Sequence, residues 1–90
     1  MANTKSAMKR VRQNEKRRTR NRVYRSATRT HIKKARGLIE SGELEQAQVE
    51  VAAAVRSLDK AAQKGVIHKN NAARRKSRLL TLLNRAQATS

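Results

Sequence analysis

Residues 18–42 read Arg18-Thr19-Arg20-Asn21-Arg22-Val23-Tyr24-Arg25-Ser26-Ala27-Thr28-Arg29-Thr30-His31-Ile32-Lys33-Lys34-Ala35-Arg36-Gly37-Leu38-Ile39-Glu40-Ser41-Gly42, and their pattern decides the fold. Two periodicities run through the stretch. Tyr24, Ala27, His31, Ala35 and Leu38, flanked by Ile32 and Ile39, recur at the three- and four-residue spacing of one face of an α-helix. Arg18, Arg22, Arg25, Arg29, Lys33 and Arg36 recur at spacings of 4, 3, 4, 4 and 3, which places all six on one face, expected opposite the first. Gly42 ends the helix, because glycine takes the left-handed conformation of a C-terminal stop without a Cβ penalty. Gly37 is tolerated inside it. Carried toward the N-terminus, the apolar face becomes Arg20, Arg17, Gln13 and Arg10, which cannot line a core.

Outward from this stretch the chain punctuates itself the same way. Gly65, in Lys64-Gly65-Val66-Ile67, is a second stop, and the 90 residues contain no proline. The composition favours helix between the stops. Three helices are predicted, over about 4–41, 43–64 and 69–88. The second has the clearest apolar stripe: Leu44, Ala47, Val51, Ala54, Val55, Leu58, Ala61 and Ala62. Glu43 and Glu45 suit the positive end of its dipole. The third offers Ala72, Ala73, Leu79, Leu80, Leu83 and Ala86, with Val66 and Ile67 as a staple ahead of it. Residues 20–41, 43–64 and 69–88 match in length, each roughly 30–33 Å. The expected fold is therefore all-α and a single domain: a three-helix bundle whose long, basic first helix protrudes as an arm over 4–19, roughly 24 Å long.

The charge is extreme and unevenly placed. The chain carries 23 Lys+Arg against 6 Asp+Glu, a formal net charge of +17. Residues 1–36 hold 14 of the cations and one acid, Glu15; residues 37–59 hold Arg56 and five acids; residues 60–90 hold eight cations and no acid. The acidic middle is expected to face solvent, away from a partner. Only 37% of residues are apolar and Tyr24 is the one aromatic, so the core is thin. With no cysteine and two histidines, disulfides, thiol chemistry and a structural zinc site fall away. No P-loop or catalytic constellation is present, so neither an enzyme nor a cofactor is expected. The first 20 residues hold no apolar signal segment, and no run approaches the roughly 20 apolar residues that span a bilayer.

Five consecutive like-charge neighbours along Arg18 to Arg36 each cost about 0.2–0.5 kcal/mol, roughly 1–2.5 kcal/mol together. Cations near the N-terminal end (Lys5, Lys9, Arg10) also oppose the helix dipole. An array of phosphates reverses the sign of each term. The reading is a polyanion binder whose arm frays alone and orders on binding. Base stacking on an aromatic sheet is excluded by the single aromatic, and KH-type binding by the lack of Gly-x-x-Gly. A bZIP-like or non-specific DNA binder is the rival, on the heptad of Leu44, Val51 and Leu58, although two turns of heptad are short and Gly37 and Gly42 interrupt the fork. A membrane-surface or transit segment is disfavoured, because residues 5–22 offer only Met8 and Val11 as apolar groups.

The residues also resemble a known family. Met1-Ala2-Asn3-Thr4-Lys5-Ser6-Ala7, Arg12-Gln13-Asn14-Glu15-Lys16-Arg17-Arg18-Thr19-Arg20-Asn21-Arg22 and, most specifically, Lys64-Gly65-Val66-Ile67-His68-Lys69-Asn70-Asn71-Ala72-Ala73-Arg74-Arg75-Lys76-Ser77-Arg78-Leu79 resemble the bacterial small-subunit ribosomal protein S-twenty family. Residues 43–63 agree mainly in pattern. The resemblance implies a helical bundle bound directly to small-subunit ribosomal RNA and supporting subunit assembly. It implies a monomer within the ribosome with few protein contacts, in the cytoplasm, or in the plastid stroma if the chain is plastid-encoded.

The expected RNA contacts follow. With one acid in the first 36 residues, nothing intramolecular balances Lys5, Lys9, Arg10, Arg12, Lys16, Arg17, Arg18, Arg22, Arg25, Arg29, Lys33 and Arg36. At the third helix the set is His68, Lys69, Asn70, Arg74, Arg75, Lys76 and Arg78, with Arg85 less engaged. There the competing reading is plain capping by His68 or Asn70, against a phosphate held by the free amides. His31 reads as a packed or edge histidine, Tyr24 as a core or edge residue, and Glu15 as an i,i+3 or i,i+4 partner of Arg12 or Arg18.

Overall fold

The structure is a computed structural model and describes residues 5–89. Its three helices are α1 (Lys5–Glu40), α2 (Leu44–Gln63) and α3 (Lys69–Ala88). Thr4 lies outside the described residues. Both glycine stops form as expected. Gly42 has φ +79° and Gly65 has φ +74°. Gly42 N–H donates to the Ile39 carbonyl (3.2 Å) and Glu43 N–H to that of Leu38 (3.0 Å). Gly65 N–H donates to Ala62 (3.0 Å) and Val66 N–H to Ala61 (2.9 Å). Each pair is a Schellman closure, which satisfies carbonyls the helix end would leave open. At the second, Val66 and Ala61 are both buried and supply the accompanying apolar contact.

Helix α2 is the centre of the bundle. Ala47, Val51, Ala54, Leu58 and Ala61 are buried, with Leu44, Val55 and Ala62 half-buried beside them. This stripe packs against α1 on one side and α3 on the other, while α1 and α3 meet each other far less. Val51 and Leu58 are 2% and 0% exposed, so the heptad is spent inside the bundle and leaves no seam for a bZIP-like dimer. From α3 come Ala72, Leu79 and Leu83. Ala73 and Leu80, expected on that stripe, are exposed. The turn between Ala72 and Leu79 is filled by the half-buried stem of Lys76, whose Nζ reaches Asp59 Oδ1 at 2.7 Å.

Helix α1 is rotated from its expected phase. Its buried residues are Thr28, Ala35 and Ile39, with Ile32 half-buried among them, and the core face is not the one centred on Ala27 and His31. Ala27 is exposed, and Tyr24, His31 and Leu38 are half-buried along one edge. The difference is about 70° at 3.6 residues per turn. Ile39 is buried and Ile32 half-buried against the core, and turning these two large aliphatic side chains inward removes more apolar surface from water than burying Ala27 would. Thr28 can follow them because its Oγ1 lies 2.8 Å from Ser57 Oγ of α2. His31 takes the edge, with Nδ1 2.7 Å from Glu50 Oε1. The consequence is that the row Arg18 to Arg36 flanks the core at about 90° instead of opposing it.

Residues 5–19 continue α1 without a break, although charge repulsion predicts fraying. The bundle end of α1 is a ready nucleus, and each further residue adds a hydrogen bond without a new nucleation cost. Side chains 8–20 are all exposed. The molecule measures 65 × 20 × 15 Å. Among the described residues, no helix is long and apolar enough to cross a membrane.

Candidate nucleic-acid interface

The rotation of α1 points its cationic row at α3. Arg25, Arg29, Lys33 and Arg36 form one wall of a groove between the two helices, and Arg75 and Arg78 form the other. Arg29 and Arg75 line both hollows of this groove, so it is continuous. Thr28, Ile32 and Leu79 contribute to its lining from the core, and His68 and Asn71 line one end. Glu40 is the one acid there. The groove exists because α2 holds α1 and α3 apart along their cationic edges.

The other two seams are braced by opposite charge. Between α1 and α2, Glu50 accepts from His31 and lies 3.9 Å from Lys34 Nζ. Between α2 and α3, Lys76 pairs with Asp59. Among the described residues no ion pair bridges α1 and α3. The seam richest in cations has a single acid, Glu40, and no ion pair across it among the described residues.

The remaining expected contacts are distributed over other surfaces. Lys5, Lys9, Arg12 and Lys16 share a stripe on the exposed arm. By helical periodicity this stripe points about 140° away from the groove row. Arg10 and Arg17 lie on a third side, the outward extension of the core-facing line of α1, and Arg18 and Arg22 continue the groove row outward along α1. On α3, Arg74 and Arg85 lie on the outer face, with Arg78 between that face and the groove. Lys69 and Asn70 are exposed in the first turn of α3. Lys76 is on the opposite side from the groove and is engaged by Asp59.

At the start of α3 the capping reading holds for His68: its Nδ1 accepts the Asn70 N–H at 3.1 Å. Glu15 makes no ion pair with Arg12 or Arg18 among the described residues; its carbonyl accepts from the Thr19 hydroxyl at 3.0 Å. Two arginines of α1 turn inward to the α2–α3 turn. Arg20 Nη2 donates to the Lys64 carbonyl at 3.4 Å and Arg25 Nη2 to that of Val66 at 3.4 Å. Arg25 therefore both lines the groove and ties down its end. Sequence reasoning gave no structural role to Arg20 or Thr28. The spacing of Thr28, Ile32, Ala35 and Ile39 held the signal for Thr28.

Fold and charge layout together define the class: a small, strongly cationic helical bundle whose cations gather in one groove and along one extension. The family model described as ribosomal protein S20 matches residues 2–84, and the chain belongs to that family. It is 58% identical over 84 residues to the small ribosomal subunit protein bS20 of Thermomicrobium roseum, covering 93% of this chain and 85% of that one. It is 53% identical to the protein of the same name from Geobacillus thermodenitrificans, over 99% of this chain and 100% of that one. The corresponding figures for the Thermobifida fusca protein are 52%, 97% and 95%. The family is one of structural proteins and not of enzymes.

Proposed function

We propose that the chain is a structural constituent of the small ribosomal subunit that binds small-subunit ribosomal RNA directly, by its phosphate backbone, and supports subunit assembly. The observation that carries the mechanism is the α1–α3 groove, with Arg25, Arg29, Lys33 and Arg36 facing Arg75 and Arg78. Opposed guanidinium walls suit phosphate oxygens, which accept forked, charge-assisted hydrogen bonds. No aromatic platform accompanies them, so recognition is of backbone shape and charge.

The arm adds a second surface. Lys5, Lys9, Arg12 and Lys16 face away from the groove row, and Arg74 and Arg78 edge the outer face of α3. A protein with cations pointing in several directions holds more than one RNA segment at a fixed relative geometry. Arg18 and Arg22 extend the groove row, Arg10 and Arg17 add cations on a third side of the arm, and Lys69, with His68 and Asn70, supports the groove end. The protein works as a single copy with few protein contacts, on ribosomes in the bacterial cytoplasm; the relatives named above are bacterial, and none favours a plastid source.

The test is a filter-binding titration with purified small-subunit ribosomal RNA, using duplex DNA of similar length as competitor at two salt concentrations. Saturable one-to-one binding that survives excess DNA is expected. If roughly 6–10 phosphates are neutralised, affinity falls by about 10³–10⁵ between 50 and 200 mM salt. Equal displacement by duplex DNA would overturn the assignment to ribosomal RNA.

A further inference from the structure

We infer that a sugar–phosphate strand seated between α1 and α3 is the clasp that closes these two helices on each other, so that the RNA completes the tertiary structure of the bundle. The inference rests on the RNA-binding reading above and goes beyond it, from where the ligand binds to what it does to the protein.

Three observations carry it. First, α2 packs closely on both neighbours, while α1 and α3 touch each other little. Second, the α1–α2 and α2–α3 seams are each braced by opposite charge, through His31 and Lys34 to Glu50 and through Lys76 to Asp59. Third, the α1–α3 seam has Arg25, Arg29, Lys33 and Arg36 on one wall, Arg75 and Arg78 on the other, and Glu40 as the sole acid. Like charges facing each other across a groove repel, and at such a seam helix separation is a balance between that repulsion and the shared contacts with α2. A row of phosphates between the walls changes the sign of the term from both sides at once. Each anion attracts both helices, so binding free energy is spent partly in drawing them together. Because α1–α2 and α2–α3 are already braced by ion pairs, the movement falls on the α1–α3 seam, beyond the end that Arg25 ties to the Val66 carbonyl.

The chain contains no cysteine, so labels can be placed uniquely on the full-length protein. Ser26→Cys on α1 and Ser77→Cys on α3 are exposed positions outside the groove lining. Thr30→Cys with Ala52→Cys reports α1–α2 as the control. Spin-label distances are measured by double electron–electron resonance at fixed salt, with and without purified small-subunit ribosomal RNA, and retention of the RNA is checked on the same samples. The α1–α3 distance should shorten by about 1–2 Å, the range over which packed helix pairs differ in separation, and its distribution should narrow. The α1–α2 distance should not move. The variant carrying Arg29→Gln and Arg75→Gln, without RNA, should shift the α1–α3 distance in the same direction, because it removes charge from both walls. Retained RNA with an unchanged α1–α3 distribution would overturn the clasp, as would a charge-neutralised variant whose free-state spacing equals that of the parent. Failure to retain RNA at all would overturn the RNA-binding reading itself, and the comparison of free proteins would still decide whether charge holds the seam open.

Discussion

Replacing Arg75 by Met should flatten the salt dependence of RNA binding, while replacing its neighbour Lys76 by Met should leave it untouched. The two cations are adjacent in sequence, yet the helix turns them to different sides. Arg75 lines the groove, and Lys76 Nζ sits 2.7 Å from Asp59 Oδ1. One phosphate contact fewer reduces the slope of log affinity against log salt by about 0.7–0.9. Between 50 and 200 mM salt that amounts to roughly a threefold smaller loss of affinity for Arg75→Met. Lys76→Met should stay on the parent line. Its cost to stability is small, because the side chains of Lys76 and Asp59 are 31% and 54% exposed and such a pair is worth about 0.2–1 kcal/mol. Met also keeps an unbranched stem in the slot between Ala72 and Leu79. The assay is filter binding of both variants and the parent to small-subunit ribosomal RNA at four salt concentrations, with unfolding curves as the folding control. Equal flattening by the two variants would refute the assignment of Arg75 to the groove and of Lys76 to the bundle.

Three further outcomes are expected. Gly42→Ala and Gly65→Ala force a side chain into left-handed backbone at φ +79° and +74°, and each should destabilise by about 1–2 kcal/mol, whereas Gly37→Ala, inside α1 with nothing within 4 Å of the added Cβ, should stabilise by about 0.5–1 kcal/mol; urea denaturation reads both signs. Leu58→Ala empties the most enclosed large side chain of the core and should cost about 2–5 kcal/mol, seen as loss of cooperative thermal unfolding at physiological temperature. Deleting residues 1–16 takes away side chains 8–16, all of them exposed, so the midpoint of thermal unfolding should hardly change while the salt slope of RNA binding falls; a collapse of the fold would contradict the independence of the bundle from its arm.

Helix number and the ends of α1 and α2 were legible because, among the described residues, glycine alone takes the left-handed conformation, and Gly42 and Gly65 stand alone between long runs of helix formers. The stripe of α2 was legible because its apolar residues outnumber its charges along one face. The phase of α1 was harder to read. In a helix this basic, Ala27 and Thr28 differ little in what they gain by burial, and the decision belongs to Ile32 and Ile39, which point toward Thr28. Lys76 shows the same weakness in the other direction. Its spacing from Ala72 and Leu79 puts it on the apolar stripe, but its charge invites a functional reading. The groove is a tertiary object: it depends on which edge of α1 comes to face α3, and no periodicity within one helix contains that information.

The unbroken course of α1 from Lys5 to Glu40 has a consequence for how the protein measures its target. A flexible linker of fifteen residues would let the arm sample a cloud with a radius of roughly 20 Å. The same residues as helix reach about 23 Å in one direction only. Once the bundle is seated, the arm's cations are delivered to a single place at high effective concentration, and almost nowhere else. RNA whose second phosphate surface lies at that place gains the arm's full contribution, and RNA with the surface displaced gains little. On the function proposed above, a stiff helix of this kind acts as a caliper, selecting folded RNA by the spacing between two surfaces and not by the bases on either.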